Sequence, residues 1–184
     1  MIYTLNPQLA QNTYVRILGI LGFVALTALA SKITVFREPV PFTLQVLLVL
    51  LAGFTLGARD GFFSQLTYIT AIAAGMPLDA NSLGSAAFAG PTAGYLLAFP
   101  IAAAVVGALA VRPNFFVRFG ASLVGVAIIY VFGAMFLRLN FGLSWESAWV
   151  NGVAPFIVYD MVKAVIASSM GESARQWWQR QHIY

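Results

Sequence analysis

Apolar runs of about fifteen to twenty-five residues, separated by short polar breaks, dominate this 184-residue chain and leave it few ways to fold. A backbone lying in hydrocarbon must satisfy its own N–H and C=O groups, so runs of this length form spanning helices. Strands of a membrane barrel would instead give segments of about ten residues with alternating polarity. The runs fall at roughly 14–34, 42–58, 61–76, 92–111, 115–138 and 147–170. They predict an all-α integral membrane protein, one six-transmembrane-helix bundle forming a single domain over 1–184. The second and third runs are short for a hydrocarbon layer of about 30 Å and need tilt or cover from neighbours.

Only 9% of the residues are charged, against roughly a quarter in soluble domains, so the positions of the charges carry information. Gly57-Ala58-Arg59-Asp60-Gly61 and Arg112-Pro113-Asn114 supply permissive backbone, a missing donor and charge, and they mark two breaks on one side of the membrane. With Arg16, Arg118, Arg175 and Arg180 that side holds six basic residues, against Lys32, Arg37 and Arg138 on the other. The positive-inside rule then predicts both termini cytoplasmic in a multi-pass protein of the cell membrane. Trp145 and Trp149 fall at the outer boundary, Trp177 and Trp178 at the inner one, where amphipathic rings anchor among headgroups. The opening MIYTLNPQLAQNTY has no basic n-region, so no cleavable signal is expected.

Several chemistries are disfavoured. There is no cysteine, and the single histidine, His182, sits in a polar tail, so no metal site is expected. No phosphate loop, zinc-protease motif or nucleophile elbow occurs, which predicts neither ATP hydrolysis nor an enzyme. The basic residues are dispersed at helix ends and form no footprint for nucleic acid.

The last apolar run nevertheless contains PFIVYDMVKA, with Asp160 and Lys163 three residues apart on one helical face. Charges at a helix centre in the bilayer cost about 2.5–3.5 kcal/mol each, so this face must turn inward. Phe156, and Asn151 nine residues before Asp160, are expected on or near the same stripe. Residue types alone leave two readings open, an ion pair that offsets its own charge or a ligand site with one acceptor and one donor group. Thr43 and Gln45, Gln65 and Tyr68, and Tyr130 are further intramembrane polar groups that suit interhelical bonds or the same site. The connection TVFREPVP (34–41) and the long connection PLDANSLGSAAFAGP (77–91), which carries Asn81 and Ser82, lie on the outer side. Gly90-Pro91-Thr92 starts a helix beside that loop.

Three motifs in this order, VPFTLQVLLVLLAG (Val40 to Gly53), GPTAGYLLAF (Gly90 to Phe99) and PFIVYDMVKA (Pro155 to Ala164), resemble the BioY family of biotin transporter proteins over essentially the whole chain. The resemblance implies a substrate-binding S component of an energy-coupling factor (ECF) transporter. Such a component captures biotin from outside and works with one transmembrane T subunit and two ATPases, with no cofactor and with membrane lipid around it. It places Asp160 and Lys163 in the biotin pocket and makes Asn81 the candidate for the family's loop asparagine. Asp160 would accept the ureido N–H groups. Phe42, Tyr68, Tyr95 and Phe156 would cover the apolar middle of the ligand, with Gln45 close by. Two departures stand out. The family's G-P-T-G-G-Y reads Gly90-Pro91-Thr92-Ala93-Gly94-Tyr95, and the first helix has no literal A-x-x-x-A docking patch, only Ala25, Ala28 and Thr27-x-x-x-Ser31. The rival readings are a self-sufficient proton-coupled transporter relaying protons through Asp160, and an intramembrane assembly protein with an inert pair.

Overall fold

The computed structural model describes residues 13–34, 40–110 and 114–180, with 172 and 174–180 by backbone alone. The readings placed on Arg37, Arg112, His182 and the centre of TVFREPVP, and on the side chains of Arg175, Trp177, Trp178 and Arg180, lie outside the described residues. The described chain is helical throughout: α1 (Thr13–Lys32), α2 (Gln45–Ala73), α3 (Ala93–Leu109), α4 (Phe115–Phe141), α5 (Trp145–Gly152) and α6 (Ile157–Arg180). Short 3-10 turns occupy Gly84–Ala89 and Ala154–Phe156. No strand forms among the described residues, and one backbone bridge joins Thr34 to Thr43.

Four segments are long and apolar enough to cross a membrane, Thr13–Lys32, Gln45–Ala73, Phe115–Phe141 and Trp145–Gly171, with the shorter Ala93–Leu109 beside them. This is a multi-pass membrane protein. Large apolar side chains point away from the protein on α1, α4 and α6, among them Leu18, Leu29, Phe116, Leu139, Val158 and Val162. In lipid these positions face acyl chains, and association between helices rests on close packing and buried hydrogen bonds.

α2 is not one rod. Gly57 has φ +80° and ψ −177°, outside the helical region and in a conformation that a side chain rarely adopts. Gln45 Nε2 donates to Tyr68 Oη at 2.7 Å. In a straight helix residues so spaced would lie about 34 Å apart. The arms 45–56 and 58–73 therefore run antiparallel from a reversal at Gly57, inside the Gly-Ala-Arg-Asp-Gly break that the sequence marks. Asp60 just past the turn takes a two-point ion pair from Arg16 of α1, with Nε–Oδ2 at 2.8 Å and Nη2–Oδ1 at 2.5 Å. α3 packs across the hairpin so tightly that a Cβ on Gly53 would lie 2.5 Å from the Ala103 carbonyl.

The last apolar run is also broken. The expected continuous span over 147–170 is instead α5, a 3-10 turn and α6; Pro155, with no N–H to close a turn of α5, stands at the start of the 3-10 turn. Asp160 is consequently in the first turn of α6 and not at a helix centre. There the positive end of the helix dipole favours a carboxylate. At the opposite end, Asn114 caps α4 through its side-chain oxygen, accepting from the N–H of Phe116 at 2.8 Å. Arg118, read from the sequence as a boundary charge, is buried.

Candidate functional site

The starts of α2, α3 and α6, the end of the second arm of α2 and the 74–92 connection meet at one end of the bundle. Between them lies a cavity with about 620 Å³ free of protein atoms, its open mouth included.

Its polar floor is built by α6. Lys163 Nζ donates to Asp160 Oδ1 at 2.7 Å and to the Thr43 carbonyl at 2.7 Å, and lies 4.0 Å from the centre of the Phe42 ring. The second carboxylate oxygen, Oδ2, accepts the Tyr130 hydroxyl of α4 at 2.7 Å. Both charges are almost fully buried, with side-chain exposures of 5% and 4%. A buried pair gains from attraction only when its other hydrogen-bonding capacity is met, and here a carbonyl, an aromatic face and a hydroxyl meet it. The carboxylate still has unused lone pairs for a donor arriving from the cavity.

The walls are aromatic and aliphatic. Phe42 stacks on Phe156, with centroids 6.3 Å apart and planes 9° apart, and leans on Tyr159 at 4.7 Å. Tyr95 lies against Gly133 and Gly152, either of which would clash with it if it carried a Cβ. Its hydroxyl donates to the Gly152 carbonyl at 2.8 Å, bracing the end of α5 just before the break that sets the direction of α6.

The cavity thus brings together Asp160, Lys163, Asn81, Tyr95, Gln45, Phe42 and Phe156, seven of the side chains singled out in the sequence. Gln45 reaches it with its amide already engaged, its Oε1 accepting from Thr43 Oγ1 at 2.9 Å and its Nε2 donating to Tyr68. Tyr68 itself does not line the cavity. It is fully buried one layer behind, where its hydroxyl also donates to the Leu78 carbonyl at 2.9 Å. The sequence stripe misplaces Asn151 as well. That residue is exposed on α5 and donates to the Ser147 carbonyl at 2.8 Å, because helical periodicity does not carry through the Val153–Phe156 break. Thr27 and Ser31 of α1, considered for docking, are turned inward, bonded to Gln65 Nε2 at 3.2 Å and to the Leu78 carbonyl at 2.7 Å.

Thr43 and Tyr130, flagged only as polar groups in apolar runs, turn out to hold the charged pair. Asp79, Thr92 and Phe99 line the cavity without having been singled out as site residues. Asp79 had a legible signal, an aspartate followed by polar and glycine residues in a loop, which is the pattern of a side chain that bonds its own backbone. No group of three or more metal-ligating side chains occurs among the described residues.

The description of the BioY family matches residues 6–180. The chain is 44% identical to "Probable biotin transporter BioY" of Pyrococcus horikoshii over 82% of this chain and 90% of that one. It is 38% identical to "Biotin transporter BioY" of Thermotoga maritima over 79% and 87% respectively. A crystal structure described as the S-component for biotin from an ECF-type ABC transporter superposes with a TM-score of 0.79 at 22% identity, covering 90% of this chain and 94% of that one. That last likeness concerns the fold.

Proposed function

This chain belongs to the BioY family, and from that premise we propose that it is the biotin-binding S component of an ECF-type importer. The observation that carries the reading is the buried Asp160–Lys163 pair, held from three sides at the floor of an aromatic-walled cavity. Biotin presents a ureido ring with two N–H donors and one carbonyl, an apolar thioether ring and chain, and a terminal carboxylate. Asp160 accepts from the ureido N–H groups, Lys163 orients the Asp160 carboxylate through its 2.7 Å bond, and Asn81 contributes an amide from the mouth. Phe42, Tyr95 and Phe156 cover the apolar middle. Tyr68 acts behind them as a support for Gln45.

In the membrane the two arms of α2 count as separate crossings, as do α1, α3 and α4, with α5 and α6 together forming the sixth. Both termini then lie in the cytoplasm, and the cavity opens to the outside of the cell membrane. With no phosphate loop of its own, the chain depends on a transmembrane T subunit and two ATPases for inward release. A cavity among polar groups favours ligand capture over an inert assembly role.

Calorimetric titration of the purified protein with biotin and desthiobiotin tests this. Saturable binding of both at micromolar concentration or below is expected. Absence of saturable biotin binding by folded protein would refute it.

A further inference from the structure

Asp79 is nearly as buried as the ion pair, 4% exposed, and it too carries a charge into the cavity wall. Its carboxylate faces the main chain: Oδ2 accepts the N–H of Asn81 at 3.0 Å and Oδ1 accepts the N–H of Gly84 at 2.8 Å. Along this stretch the backbone is left-handed at Ser82 (φ +58°) and at Gly84 (φ +58°). A Cβ on Gly84 would lie 2.7 Å from the Gly75 carbonyl, so the loop is pressed against the end of α2. Left-handed backbone at a residue other than glycine persists only when its surroundings hold it. The second hold comes from outside. Lys32 Nζ donates to the carbonyls of Pro77 at 2.8 Å and Asp79 at 2.6 Å and to Ser82 Oγ at 2.9 Å.

The Asn81 amide, by contrast, makes no hydrogen bond among the described residues although it lines the cavity. Its backbone is fixed from both sides and its side chain is left unspent. We propose that Asp79 is a positioning residue for ligand binding, acting through Asn81: the carboxylate sets the 81–84 backbone so that the Asn81 amide is presented to the cavity. The inference rests on the biotin-binding reading. A carboxylate suits the task because two N–H donors need two acceptor oxygens, whereas an amide would turn an NH2 against one of them.

The test is a double-mutant cycle on biotin affinity with Asp79→Asn, Asn81→Ala and both together, alongside hydrogen exchange of the 80–84 amides in the ligand-free protein. Each single variant should weaken binding about tenfold, and the double variant should be no weaker than Asn81→Ala, since Asp79 acts only through that side chain. Exchange should accelerate in Asp79→Asn and not in Asn81→Ala. Losses that multiply in the double variant, or loop exchange unchanged by Asp79→Asn, would overturn the proposal. Should Asp79→Asn not fold, Lys32→Met releases the same loop from its exposed side and faces the same two criteria. If the parent binds no biotin, the functional reading fails by itself, and the exchange arm decides whether Asp79 sets the loop.

Discussion

Replacing Asp160 by asparagine keeps the shape of the side chain and removes its charge at the point where three donors are to meet. Two of those donors are already in place, Lys163 Nζ and the Tyr130 hydroxyl, each at 2.7 Å, and the third is the ligand. An asparagine has a single acceptor oxygen and turns an NH2 group toward one of the donors, so at least one buried N–H or O–H loses its partner. A hydrogen bond to a charged group contributes about 1.5–3 kcal/mol, so biotin affinity should fall about ten- to a hundredfold. The fold should survive, because Lys163 keeps the Thr43 carbonyl and the Phe42 face. The assay is titration of parent and variant in the same detergent, with thermal unfolding of each as the check on folding. Tyr130→Phe, which removes one donor and leaves the charge, should weaken binding less. Parent-like affinity in a folded Asp160→Asn protein would mean that the pair is structural and that the ligand, if any, binds elsewhere.

Two further outcomes follow from the packing behind the cavity. In Gly133→Ala the new methyl would collide with the Tyr95 ring, so stability should drop by about 1–3 kcal/mol and biotin binding should weaken with it, as read by thermal unfolding and titration. Tyr68→Phe leaves a Gln45 N–H unpaired in the interior and should cost about 1–3 kcal/mol of stability. Its effect on affinity should be smaller than that of Phe156→Ala, which strips the cavity wall; equal losses in the two titrations would place Tyr68 in contact with ligand.

Much of this arrangement was legible in the sequence because lipid leaves the backbone so little choice. Apolar runs located the helices, and Gly-Ala-Arg-Asp-Gly marked the reversal now seen at Gly57. Asp160 and Lys163 stood out because charge in an apolar run must be compensated. Their partners were harder to see. The Thr43 carbonyl has no side-chain signature, and any residue there would offer the same oxygen. Asn151 was misplaced because a proline break resets helical phase, and Pro155 in an otherwise apolar run does not announce how far the following helix will turn. Tyr68 was assigned to the cavity by residue type, and only the reversal at Gly57 shows that it backs onto Gln45. The role of Asp79 depends on the path of a loop, which residue types alone do not specify.

The reversal at Gly57 also bears on how the chain enters the bilayer. At 1.5 Å per residue the two arms are about 18 and 24 Å long, against hydrocarbon about 30 Å thick. Mismatch costs a fraction of a kcal/mol per Å, so neither arm is a good passenger on its own, and Gln45, Gln65 and Asp60 make each still less so. Arms this short are expected to enter together as a hairpin, with the Gln45–Tyr68 bond shielding polar groups between them. The hairpin then waits for α3, the next segment synthesised, whose Gly107 fits directly against the Gly57–Ala58 backbone. A bulky residue at position 107 would meet the Gly57–Ala58 backbone, and it is expected to lower the yield of inserted protein more than the biotin affinity of what does insert.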